Sequence, residues 1–251
     1  MKLRSLLTAV ALLFFVAGQA QTADEIIAKY FENTGGLAKW KALQGIKCTG
    51  KANQQGMEFP VEFVFMKDGK QLTKFTLQGK EIKQGVYDGT TLWGLNFMNQ
   101  KAEKSDAEAT ENFKANLAGE YPFVFLNHKE KGYKVELLGK EKVDGTETFK
   151  LKFTKNPIKV DGKPEESIQF YYFDSENFVP LMIEEEIKSG PGKGMISQNK
   201  FSDFQEVNGL MIPFSWAQGA KGQPNQPPIV MSNIELDPKI DNSAFAFPTE
   251  K

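Results

Sequence analysis

The stretch MEFPVEFVFM, Met57–Met66, sets Phe59, Val61, Phe63 and Phe65 against Glu58, Pro60, Glu62 and Val64. Side chains two apart in an extended chain point the same way, so this alternation predicts a half-buried strand with an aromatic face. The same period of two begins at Ile46 and returns along most of the chain. Between the alternating runs stand Asp68-Gly69, Asp88-Gly89, Asp144-Gly145, Asp161-Gly162 and Asn208-Gly209. Such pairs supply the positive φ angles that tight hairpin turns need. The expectation is a succession of antiparallel hairpins with about twelve strands.

Helical spacing appears in only three places. In Asp24 to Phe31 the residues Ile26, Ile27, Tyr30 and Phe31 share a face, with Thr22 or Asp24 as cap and Gly35-Gly36 as terminator. Leu37 to Leu43 reads as a second short helix carrying Trp40, and Ser105 to Ala118 as a third. There Ser105 and Glu108 suit a capping box, and Phe113 and Leu117 lie one turn apart. Each helix has one apolar stripe to bury. They are expected to lie over one face of the sheet as a lid, anchored by Phe31, Trp40, Phe113 and Leu117. The Gly/Pro-rich stretches Ser189 to Gly194 and Gly219 to Pro228 read as turns between strands, and residues 21–251 as a single domain.

The first twenty residues carry Lys2 and Arg4, then an apolar run from Leu6 to Ala17 broken only by Thr8, then Gly18-Gln19-Ala20. This is the pattern of a secretory leader cleaved after Ala20, and the run is too short to span a membrane. No lipid-attachment cysteine follows it, so the expectation is an exported, unanchored periplasmic protein. Removing Lys2 and Arg4 from 31 basic residues leaves 29 against 32 acidic ones, which argues against nucleic acid as a partner. With one cysteine, Cys48, and one histidine, His128, neither an intramolecular disulfide nor a Cys/His zinc site can form. His128 reads as a surface residue without a catalytic partner, Cys48 as a buried small hydrophobe. The run Glu184-Glu185-Glu186 reads as a solvated strand, with Glu184 and Glu186 on one face. No catalytic residue, cofactor or metal is expected.

What stands out is an aromatic excess of 21 Phe, 6 Tyr and 3 Trp. A large antiparallel sheet that curls encloses an apolar space on its concave face. Candidates to line it are Phe59, Phe63, Phe65, Phe75, Trp93, Phe97, Phe170, Tyr172, Met182, Phe214 and Trp216. By alternation, Phe63 goes with Phe65, Phe170 with Tyr172, and Trp93 with Phe97.

Four stretches resemble bacterial outer-membrane lipoprotein-sorting proteins of the LolA and LolB type. They are Thr22 to Lys51 (TADEIIAKYFENTGGLAKWKALQGIKCTGK), Tyr172 to Glu184 around Asp174, Phe201 to Trp216 (FSDFQEVNGLMIPFSW) and Ser232 to Pro248 (SNIELDPKIDNSAFAFP). The resemblance implies a mainly β fold with a few helices: a strongly curved, incomplete antiparallel barrel with helices over its mouth. It also implies a monomer that holds a lipid or a lipoprotein acyl chain without catalysis. The alternative is an envelope module, a sensor for example, that binds a segment of a protein partner. In the LolA carrier an arginine couples barrel to lid; here Arg4 is the only arginine, and it lies in the leader.

Overall fold

The computed structural model describes residues 21–54, 56–116, 123–190, 192–224 and 226–248. The leader and Leu117 lie outside them. Helix α1, Ala23–Asn33, starts with a reciprocal capping box: Thr22 Oγ1 accepts from the Glu25 N–H, and a Glu25 carboxylate oxygen accepts from the Thr22 N–H. A short α2, Leu37–Ala42, follows the Gly35-Gly36 elbow.

Next come β1 (Gly45–Gln54), β2 (Met57–Met66), β3 (Gln71–Leu77), β4 (Lys80–Tyr87), β5 (Leu92–Leu95) and β6 (Ala102–Lys104). Helix α3, Ala107–Asn116, separates these from β7 (Lys134–Val143), β8 (Thr146–Thr154), β9 (Ile158–Val160), β10 (Lys163–Glu165), β11 (Ile168–Asp174), β12 (Pro180–Glu186), β13 (Ile196–Val207), β14 (Leu210–Ala220) and β15 (Ile229–Leu236). All five Asp-Gly or Asn-Gly pairs join consecutive strands, and the tightest are Asp144-Gly145, Asp161-Gly162 and Asn208-Gly209, where both residues take positive φ.

Thirteen strands form one antiparallel sheet in the order β6-β5-β4-β3-β2-β1-β15-β14-β13-β12-β11-β8-β7, while β9 and β10 form a separate hairpin. The last strand returns to the middle and pairs with the first, which joins the two meanders. Curvature follows from one contact. Phe63 on β2 and Trp216 on β14 are three strand spacings apart, about 14 Å in a flat sheet, yet their ring centroids are 5.2 Å apart. The sheet therefore curls strongly, and its ends β6 and β7 do not hydrogen-bond to each other. It is an incomplete antiparallel barrel.

Cross-strand register assigns the concave face. On β1 it carries Ile46 and Cys48, opposite Phe65 and Phe63 of β2. On β8 it carries Phe149, Leu151 and Phe153, opposite Phe173, Tyr171 and Gln169 of β11. One end of this concavity is filled. Ile26, Ile27, Tyr30 and Phe31 of α1, Trp40 of α2 and Phe125 pack against those strand residues in the main core. Tyr30 stands at its centre, with the rings of Phe31, Trp40, Phe123, Phe125 and Phe173 at 4.8–6.1 Å.

Three local readings change. The cap of α3 is Asp106, which accepts from the Ala109 N–H; Glu108 instead accepts from the N–H groups of Asp161 and Gly162, and clamps α3 to the β9–β10 turn. With Phe113 against Tyr87 at 4.9 Å and contacts to β5 and β9, α3 joins the β4–β5 end of the large sheet to the separate β9–β10 hairpin. His128 is buried: its Nδ1 lies 2.7 Å from the Phe125 carbonyl oxygen and its ring meets Phe153 edge-on. Glu184 is buried as well, because three hydrogen-bond donors converge on it.

Candidate functional site: a cavity on the concave face

The part of the concavity that the helices leave open is a cavity of about 380 Å³. Ile46 and Cys48 of β1 and Phe65 of β2 form one wall, and Tyr171, Ile183 and Trp216 of β11, β12 and β14 form the other. Phe123 and Val124, which pack with the helical plug, close the floor. Ile212, Phe201 and Ile229 complete an apolar lining to which Gln71, Gln169, Asn199 and Gln218 add side-chain amides.

The polar groups at the wall are mostly paired. Gln169 donates to a Glu185 carboxylate oxygen at 2.8 Å and accepts from the Tyr171 hydroxyl at 3.2 Å. Trp216 Nε1 donates to the Pro213 carbonyl at 2.9 Å, which fixes the indole plane. Burial pushes the Cys48 thiol up to about 12, so the sulfur in the wall is neutral and unreactive at neutral pH. His128 is not part of the cavity lining: its Nδ1 lies against the Phe125 carbonyl and its Nε2 has no hydrogen-bond partner, with Asp24 Oδ1 3.6 Å away. Among the described residues no cluster of His, Cys, Asp or Glu is arranged to hold a metal ion.

The sequence-based candidates divide into four groups. Phe65 and Trp216 line the cavity, and Phe63 and Phe214 pack against the core beside it, Phe63 stacked on Phe65. Phe59 and Phe75 share the concave face of their strands but sit toward the hairpin tips, outside the lining. Phe170, Tyr172 and Met182 do face together, but on the opposite side of the sheet, where they pack with Val143. Trp93 is also on the opposite side, in a cluster with Val64, Leu72, Val86 and Phe245. Phe97 does not share its face, because β5 ends at Leu95 and Phe97 belongs to the following turn.

The reason for the misplacement is specific. Ile168–Asp174 is apolar at nearly every position, so alternation along β11 has no phase. The phase is set by β8, whose Phe149, Leu151 and Phe153 alternate with Lys150 and Lys152 and pair opposite Phe173, Tyr171 and Gln169. Trp93 is claimed by the C-terminal tail: its Nε1 donates to the Phe245 carbonyl at 2.8 Å and Phe247 packs edge-on at 5.8 Å. Among the lid candidates, Phe31 and Trp40 are buried in the main core, while Phe113 is buried against Tyr87 of β4, outside that core.

No protein-family model and no curated protein sequence matches the chain. Among solved structures, a LolA superfamily protein from Nitrosomonas europaea is similar at a TM-score of 0.53 and 15% identity, over 90% of this chain and 98% of that one. A DUF1329 family protein from Desulfovibrio piger is similar at 0.52 and 15%, over 90% and 98%. A domain from Vibrio parahaemolyticus described as an outer membrane lipoprotein-sorting protein is similar at 0.51 and 13%, over 88% and 94%. The curled sheet with its helical plug is thus the fold of LolA superfamily proteins.

Proposed function

We propose that this protein is a non-enzymatic carrier of lipid in the cell envelope. In the finer form of this reading, a leader ending at Ala20 exports one domain, residues 21–251, to the periplasm, and the cavity takes an acyl chain of a lipoprotein. The observation that carries the proposal is the cavity itself. At about 380 Å³ it falls within the range of small-molecule pockets, roughly 300–1,000 Å³. Each buried methylene of an acyl chain gains about 0.8 kcal/mol, so an apolar wall suffices for binding and no reactive group is needed. The sheet edge gives less support to a peptide-binding module. Strand β7 presents Lys134, Glu136, Lys140, Glu141 and Lys142, charges that discourage the addition of another strand.

The test is native mass spectrometry of the mature protein purified from the periplasm without detergent. Adducts with lipid masses, removed by organic extraction and replaced by an apolar fluorophore, are expected. A bare mass with no uptake of the fluorophore would overturn the carrier reading, and a co-purifying polypeptide would establish the module.

A further inference from the structure

We propose that the turn between β5 and β6, residues 96–101, is a docking tip for the surface of an anionic lipid bilayer. Two large apolar side chains stand at its apex: Met98 is 94% exposed and Phe97 60% exposed. The turn holds them there. Asn96 Oδ1 accepts from the N–H groups of Met98 at 2.8 Å and Asn99 at 3.3 Å. Asn96 Nδ2 donates to both oxygens of Glu103 at 3.0 Å, and Asn99 Nδ2 donates to Glu103 at 3.1 Å. The backbone closes with Asn96 N–H to the Lys101 carbonyl and Gln100 N–H to the Asn96 carbonyl, both 2.8 Å. A loop without these bonds is free to fold Met98 back onto the sheet; this one keeps it in water, which marks an interaction surface.

The tip belongs to a longer apolar rim. Met57, at the start of β2, is also exposed. Phe97 stacks on Phe75 at 6.0 Å, and Phe75 meets Phe59 at 6.0 Å. Phe75 pairs with Val61, which lies between Phe59 and Phe63 on the same face of β2. An apolar row therefore runs from the tip along β2 to Phe65 in the cavity wall.

Charge and shape select the bilayer over a protein groove or helix. The apex is a convex turn, able to enter a headgroup layer. Exposed lysines flank it. Lys80 Nζ donates only to the Gln100 side chain at 3.1 Å, and neither Lys80 nor Lys101 pairs with a described carboxylate. Glu103, at the base of the turn, accepts three hydrogen bonds from the two side-chain amides of Asn96 and Asn99. Apolar side chains at the apex with free ammonium groups behind them match acyl chains beneath a layer of phosphates. The docking claim stands without the carrier reading; if that reading holds, the row is the entry path.

The experiment is co-sedimentation of the mature protein with vesicles of phosphatidylethanolamine and phosphatidylglycerol, compared with phosphatidylcholine alone. The wild type is expected to partition onto the anionic vesicles. Met98→Asp should weaken this by about tenfold, Lys80→Gln and Lys101→Gln by about fivefold each, and Met98→Leu should retain it. Uptake of the apolar fluorophore should be unchanged in Met98→Asp, which separates this claim from the cavity's. Wild-type protein that stays in the supernatant, or Met98→Asp that sediments as well as wild type, would overturn it. So would vesicle binding untouched by Met98→Asp alongside loss of a cross-link to an envelope protein.

Discussion

Glu184 is a carboxylate inside a β protein, 4% exposed, and its pairing keeps it charged. Burial alone would raise its pKa. The Tyr172 hydroxyl at 2.7 Å, Gln198 Nε2 at 2.7 Å and Lys221 Nζ at 3.0 Å outweigh that and hold it below the usual carboxylate value. A folded-state value below the unfolded one means that the stabilisation is present above the unfolded pKa, about 4.3, and is lost as pH falls through the folded value. Urea denaturation of Glu184→Gln should therefore show a flatter stability profile than wild type below about pH 4. Tyr172→Phe should cost about 2 kcal/mol at neutral pH, the worth of one bond to a buried charged acceptor. The same carboxylate pushes the Tyr172 hydroxyl upward, after burial, so the phenol stays a donor throughout this range.

At the scale of elements, the elbow between α1 and α2 and the C-terminal tail are the points of greatest consequence. Gly35 takes φ +111°, and a Cβ there would stand 2.0 Å from the Gly209 carbonyl oxygen. Around it Met211 N–H donates to the Thr34 carbonyl, and Trp40 Nε1 donates to Thr34 Oγ1 at 3.0 Å. Gly35→Ala combines backbone strain with a clash against main chain. It should lower stability by about 3 kcal/mol, read from the urea midpoint. The tail behaves as a cover. Phe245 seals Val64, Leu72, Val86 and Trp93 on the outer face. Phe245→Ala should cost about 3 kcal/mol and shift Trp93 emission to the red.

At the scale of the molecule, the neighbours Met182 and Ile183 test which face of the sheet is which. Met182 packs with Tyr172 and Val143 on the outer face, while Ile183 lines the cavity. Met182→Ala should cost about 2 kcal/mol and leave fluorophore uptake intact. Ile183→Asp should abolish uptake with a smaller shift in the urea midpoint, because a cavity wall has room to accommodate change. The reverse pattern would place the site on the other face.

Local patterns made most elements readable. Thr22 or Asp24 marks the start of α1, and the structure selects Thr22; the Asp-Gly and Asn-Gly pairs mark hairpins, and Met57–Met66 declares its own alternation. Each depends on residues within a few positions of one another, which is the range over which caps, turns and periodicity act. The face taken by Tyr171 rather than Tyr172 depends on pairing with Leu151, twenty residues away, and Trp93 is covered by a residue 152 positions distant. His128 and Glu184 look solvated in sequence because their partners, the Phe125 carbonyl and the Tyr172, Gln198 and Lys221 donors, come together only when the chain folds. The chain's own alternation told which side chains travel together. Which of two faces became the inside was decided by strand pairing, by the helical plug over one face and by the tail over the other, because a period of two is the same read from either side.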